Sequence, residues 1–204
     1  MKYEIALLAL ASVASARDVA KFYAKLGMRS LERREVPQEH SHEAILRAAN
    51  TFLLLDNPLE IQDAVFGLLG AAAAALGAPN VANLDCLQQF IADQAFTNAK
   101  AAGDLDGQIN AILFRAVEKN TGSVGLLSVN CNEAAVNPEI AAVQQHQDPA
   151  ATGAKEINAA IELAVAAQIA AIGGGPLLAL QSATFAPGEV CTLSFSHHAW
   201  LPGH

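Results

Sequence analysis

Residues 154–172 read AKEINAAIELAVAAQIAAI. Ile157, Ile161, Ala164, Val165, Gln168 and Ile169 recur at intervals of three and four, the spacing that sets side chains on one face of an α-helix. Alanine, the strongest helix former, fills most of the other positions. Gly173-Gly174-Gly175-Pro176 then stops the helix, because glycine accepts the left-handed conformation at a helix end and proline cannot continue one. A short helix is expected from Leu177 to Thr184.

The same signals recur toward the N-terminus. Ser41 is placed to cap a helix running to about Leu55, with Ile45, Ala48, Ala49, Phe52 and Leu53 on one side. Asn57-Pro58-Leu59-Glu60 reads as a helix start: asparagine caps, proline suits the first position, and glutamate three residues on reaches back. That helix is expected to run to about Leu76, ahead of Gly77 and Pro79. Next comes a helix over roughly Asn83 to Ala102, burying Leu84, Leu87, Phe90, Ile91 and Ala95 and ending at Gly103. A further helix spans Gln108 to Lys119, with Ile109, Ile112, Leu113, Ala116 and Val117 inside. Residues 120–132 form a Gly/Ser/Asn loop. Asn137-Pro138-Glu139 repeats the Asn-Pro start, Gln144-Gln145-His146-Gln147 reads as the polar end of that helix, and Asp148-Pro149 breaks it. The fold expected is all-α, a bundle of about five to seven antiparallel helices with a short irregular C-terminal tail.

Composition supports this reading. Of 204 residues, 43 are alanine and only 11 are aromatic, which suits closely packed helices rather than a β-sandwich. Alanine buries little area, so the backbones must approach closely. A net charge of −8 excludes the basic face that nucleic acid requires. The uncharged run Ala64 to Pro79 is shorter than the roughly 20 residues of a membrane span and reads as a buried central helix.

The ends carry different signals. Residues 1–16 combine Lys2, an apolar run from Ile5 to Val13, and Ala14-Ser15-Ala16, the pattern of a secretory signal peptide cut after Ala16. Residues 17–34 are basic: Lys21, Lys25, Arg29 and Arg33 recur every four residues, with Val19, Phe22 and Leu26 on another face. Two readings stand for this segment, a propeptide removed after Arg34 and a solvated first helix of the mature domain. Residues 35–188 are the alanine-rich helical domain and 189–204 the irregular tail. Residues 35–204 hold 5 basic and 17 acidic residues, a net −12. Secretion places the three cysteines in an oxidising compartment. The pairing expected is Cys86–Cys131, which pins the loop at Asn130 to the helix after Asn83 and leaves Cys191 over.

Catalytic motifs are scarce. Thr121-Gly122-Ser123-Val124-Gly125 departs from the Gly-x-Ser-x-Gly spacing of a nucleophile elbow. Asp104-Leu105-Asp106-Gly107 lacks the first and twelfth carboxylates of a calcium loop and reads as a helix-capping turn. Gly173-Gly174-Gly175 lacks the Lys-Ser/Thr of a phosphate loop. His40, His42, His197, His198 and His204 fall short of a four-ligand metal site and read as solvated tails. No catalytic residue, metal ligand or cofactor is expected.

Ser128-Val129-Asn130-Cys131-Asn132-Glu133-Ala134-Ala135-Val136-Asn137-Pro138-Glu139-Ile140-Ala141-Ala142, followed by Gln144-Gln145-His146-Gln147-Asp148-Pro149, resembles secreted alanine-rich proteins of filamentous ascomycete fungi that carry the label of cell wall proteins. The stretch from Ile169 to Ser182 and Thr184-Phe185-Ala186-Pro187-Gly188 extend the resemblance, which covers roughly residues 50 to 188. It implies secretion and cell-wall or cell-surface association, with a wall polymer or host surface component as partner, and no reaction. The family continues past the Pro-Gly step into an acidic tail containing cysteine, whereas this chain reads Val190-Cys191-Thr192-Leu193-Ser194-Phe195. The function expected is therefore a secreted, non-enzymatic wall or surface protein, extending to a virulence-related effector. The alternative is an extracellular bundle that binds lipids or hydrophobic surfaces.

Overall fold

The computed structural model describes residues 42–184. The expected signal peptide with Ala16, the basic segment with Arg34, Ser41, His40, Cys191, His197, His198, His204 and the C-terminal tail lie outside them. The described residues are helical, with no strand among them.

The centre is a helical hairpin. Helix α3 (Leu87–Ala102) follows a 3₁₀ turn at Leu84–Cys86, and only Gly103 and Asp104 separate it from helix α4 (Leu105–Ala116). Gly103 closes α3 at φ +67°, a left-handed position that favours glycine. Asp104 Oδ1 then accepts from the Gly107 amide at 2.7 Å, so the Asp-Leu-Asp-Gly stretch is the capping turn that its spacing implied. Ala92, Ala95, Ala99, Ala111 and Ala116 are fully buried along these helices, beside Phe96 and Phe114. Here the alanine content has its structural meaning, because small side chains let the two backbones approach.

Helix α1 (Glu43–Leu53) lies on this hairpin through Ile45, Leu46, Ala49 and Leu53. Its Phe52 ring packs over Gly107, where a Cβ would lie 2.3 Å from Phe52 Cε2. On another side α6 (Ala154–Ala171) buries Ile161, Val165 and Ile169 against α4 and the closing 3₁₀ segment Pro176–Ser182. The two ends of the described body meet, with His42 Nε2 3.3 Å from the Ala183 carbonyl oxygen.

Three expectations are corrected. Asn57-Pro58 does not start a long helix: Asn57 spends its side chain on Ile61, donating to the carbonyl at 2.7 Å and accepting from the amide at 3.1 Å. Glu60 takes φ +52° in the resulting turn. The residues that follow divide into a 3₁₀ segment at Ala64–Leu68, capped by Asp63, and a short helix α2 (Ala71–Gly77). Second, the run from Ala64 to Pro79 is not a buried central helix, because α2 buries only Ala74 and Gly77 while Leu76 stands exposed. Its alanines offer too little apolar area to hold a face against the core. No helix among the described residues is long and apolar enough to cross a membrane. Third, the helix opened by Asn137-Pro138 is a single turn, α5 (Pro138–Ala141); residues 143–147 continue without helix and are largely buried. Ile157, on the periodic face read from the sequence, is exposed on α6.

Candidate functional site

The residues that carry chemistry gather beneath the loop between Val117 and Asn137. Gly122 to Gly125 within it form bends and turns, without the strand and helix that a nucleophile elbow needs. The loop is fixed to the start of α3 by the expected cysteine pair: Cys86 and Cys131 are joined, with Cα atoms 4.5 Å apart across 45 residues of sequence. Around the bridge, Asn83 Nδ2 donates to Glu133 Oε1 at 2.7 Å and to Asn132 Oδ1 at 3.1 Å, and Gln89 Nε2 donates to the Glu133 carbonyl at 2.9 Å.

At the C-terminal end of the loop a buried carboxylate is satisfied without a cation. Asp93 accepts from the backbone amides of Val136 at 2.6 Å and Asn137 at 2.9 Å, and from Asn137 Nδ2 at 2.6 Å. Three N–H donors replace the water that burial removed.

The inner wall is the segment read as a polar helix end. Gln145, His146 and Gln147 are buried, with 2%, 0% and 3% of their surface exposed. Each finds a distant partner. Gln145 Nε2 donates to the Val129 carbonyl at 2.9 Å, while its Oε1 accepts from Arg115 Nη1 at 2.8 Å. Gln147 Oε1 accepts the Ser128 amide at 2.7 Å, and its backbone exchanges bonds with the Asn158 side chain of α6 at 2.8 and 2.9 Å. Asp148 Oδ2 accepts the Gly125 amide at 2.7 Å. Amide side chains therefore do for this loop what a second strand does in a sheet.

Four ionisable groups in this region are shifted by burial. His146 is pushed down to about 4, chiefly by loss of water; the bond from its Nδ1 to the Ala116 carbonyl at 2.6 Å opposes the shift, and neighbouring His42 adds to it. Arg115 is lowered to about 10 by burial. The Lys119 ammonium is lowered by burial first, with Asp85 opposing and Arg115 repelling it. Burial raises Glu118 against its hydrogen bond to Thr184, and Asp148 raises it further. Among the described residues no group of three or more His, Cys, Asp and Glu side chains is arranged to hold a metal ion.

Two features face outward. The loop exposes Val124, Leu126, Leu127, Val129 and Val136, each at least half exposed, with Glu133 as its exposed charge while Glu118 and Lys119 are buried. Separately, an open cleft of about 480 Å³ beside α1 mixes Glu43, Arg47, Asn50, Thr51 and Asp63 with Leu46 and Val65. That lining suits water and polar groups rather than an acyl chain.

Sequence reasoning brought Cys86 and Cys131 together and missed the rest of the network. His42, read as part of a solvated tail, is buried at 7% exposed. The available signal was the density of Asn and Gln over 128–147. Comparison with known proteins finds no matching family, curated protein or solved structure.

Proposed function

We propose that the chain is a secreted, non-enzymatic protein of a fungal cell wall or cell surface, with action on a host as an effector as the extension of that reading. The observation that supports it is the joined Cys86–Cys131 pair holding an apolar loop at the surface. Disulfides persist in oxidising compartments, and exposed aliphatic groups on a polar support suit contact with an external surface. The resemblance of residues 128–149 to ascomycete wall proteins points the same way, since Cys131 of the bridge and the buried Gln145, His146 and Gln147 fall in that stretch. Fractionation of cells expressing a tagged copy tests the reading. Recovery in the wall and medium supports it, and retention in the cytosol overturns it. Deletion followed by growth on a host tests the effector extension.

The second reading, binding to lipids or hydrophobic surfaces, rests on Val124, Leu126, Leu127, Val129 and Val136 rather than on an internal cavity. Replacing Leu126 and Leu127 by serine is expected to abolish adsorption to phosphatidylcholine vesicles under this reading. Equal adsorption by both proteins removes it.

A further inference from the structure

A buried charge is costly unless it is paired and hydrogen-bonded. Residues 35–204 hold only five basic residues against seventeen acidic ones, so carboxylates are plentiful. Yet Arg115, with 2% of its surface exposed, has no ion-pair partner among the described residues. Its hydrogen bonds go to neutral amides: Nη1 to Gln145 Oε1 at 2.8 Å, and Nη2 to Gln89 Oε1 at a long 3.5 Å. Nε has no acceptor among the described residues. Asp93 shows that this fold can satisfy a buried charge in full, with three N–H donors at 2.6–2.9 Å.

The shortfall is directional. Nε and Nη2 share one edge of the guanidinium, the edge that takes an anion side-on. One of these two donors is empty and the other makes only the long contact. Lys119, four residues on and also buried, adds positive potential; its Nζ donates to the Leu84 carbonyl at 3.2 Å and lies 4.0 Å from exposed Asp85.

We propose that the Nε–Nη2 edge of Arg115 holds a small inorganic anion, chloride, enclosed beneath the bridged loop. A monatomic ion suits a side chain so fully covered, and it enters through local opening of the loop. It supplies the acceptor that Nε lacks and offsets the paired charge of Arg115 and Lys119. The inference is independent of the proposed wall or surface role.

The test uses the whole protein crystallised with bromide in place of chloride. An anomalous bromide peak within hydrogen-bond distance of Arg115 Nε is the expected result. In solution, thermal unfolding in sodium chloride and in sodium gluconate at equal ionic strength separates specific binding from screening. The midpoint is expected roughly 5 °C higher in chloride, and the difference disappears in Arg115→Met. A water in place of the bromide, with equal midpoints in the two salts, overturns the proposal. The crystallographic arm needs no variant, so a failure of Arg115→Met to fold leaves the test intact.

Discussion

Replacing His146 by asparagine separates two roles of the buried ring, filling space and staying neutral. In the folded protein its proton affinity corresponds to about 4, against 6.5 in the unfolded chain. The unfolded state therefore binds more protons below pH 6.5. The stability linked to His146 is complete above that value, is lost as pH falls toward 4, and is constant below it. At about 1.4 kcal/mol for each tenfold change in proton affinity, the difference is about 3 kcal/mol. That is a large fraction of a typical domain's roughly 5–15 kcal/mol. Asparagine can still donate to the Ala116 carbonyl but does not titrate. It leaves a void costing about 1–2 kcal/mol at pH 7. Glu118 and Glu162, both raised by burial, contribute with the opposite sign because folding makes them hold protons more tightly. They are present in both proteins and cancel in the comparison. Urea unfolding of wild type and His146→Asn between pH 7.5 and pH 4 reads the difference directly. Wild type is expected to be the more stable at pH 7, and the two curves to cross before pH 4. Curves that stay parallel would refute the assignment of a neutral, buried His146.

Three further outcomes follow from the packing. Reducing Cys86–Cys131, or replacing Cys131 by serine, frees a loop of 45 residues and is expected to cost about 4 kcal/mol in chain entropy; an unchanged denaturation midpoint under reducing conditions would count against the bridge. Gly107→Ala drives a Cβ to 2.3 Å from Phe52 Cε2, so a loss of about 1–3 kcal/mol is expected despite alanine's better helix propensity; a stabilised variant in thermal melts would contradict the close contact. Asp104→Ala removes the cap on the Gly107 amide and is expected to cost about 1 kcal/mol, read by urea denaturation; a change near zero would show that water replaces the cap.

The helices legible in the sequence are those whose local signals agree with their packing. Residues 87–102 and 105–116 combine apolar spacing with Gly103 and Asp104; the first helix ends at Gly103 as expected, whereas the second starts at Leu105, three residues before the expected Gln108, because Asp104 caps it there. Residues 154–171 are bounded likewise by Gly153 and the glycines after Ile172. The Asn57-Pro58 signal misleads because one asparagine side chain can close either a helix start or a turn. Ile61 captures both its donor and its acceptor, and Asn50 of α1 bonds the Ala64 amide at 2.9 Å, fixing the chain out of helix. The Gln145-His146-Gln147 wall was illegible for a different reason. Polar side chains read as solvated unless their partners are known, and here the partners are Ser128, Val129, Arg115, Ala116 and Asn158. The cysteine pair was legible because Cys86 opens a periodic helix and Cys131 lies in an Asn-rich loop.

The proposed surface protein holds its apolar loop by a bridge formed outside the reducing cytosol. Non-reducing peptide mapping of the chain recovered from cells tests it most directly. A Cys86–Cys131-linked peptide is expected in protein isolated from the wall and medium. Both cysteines free, in protein confined to the cytosol, would contradict it.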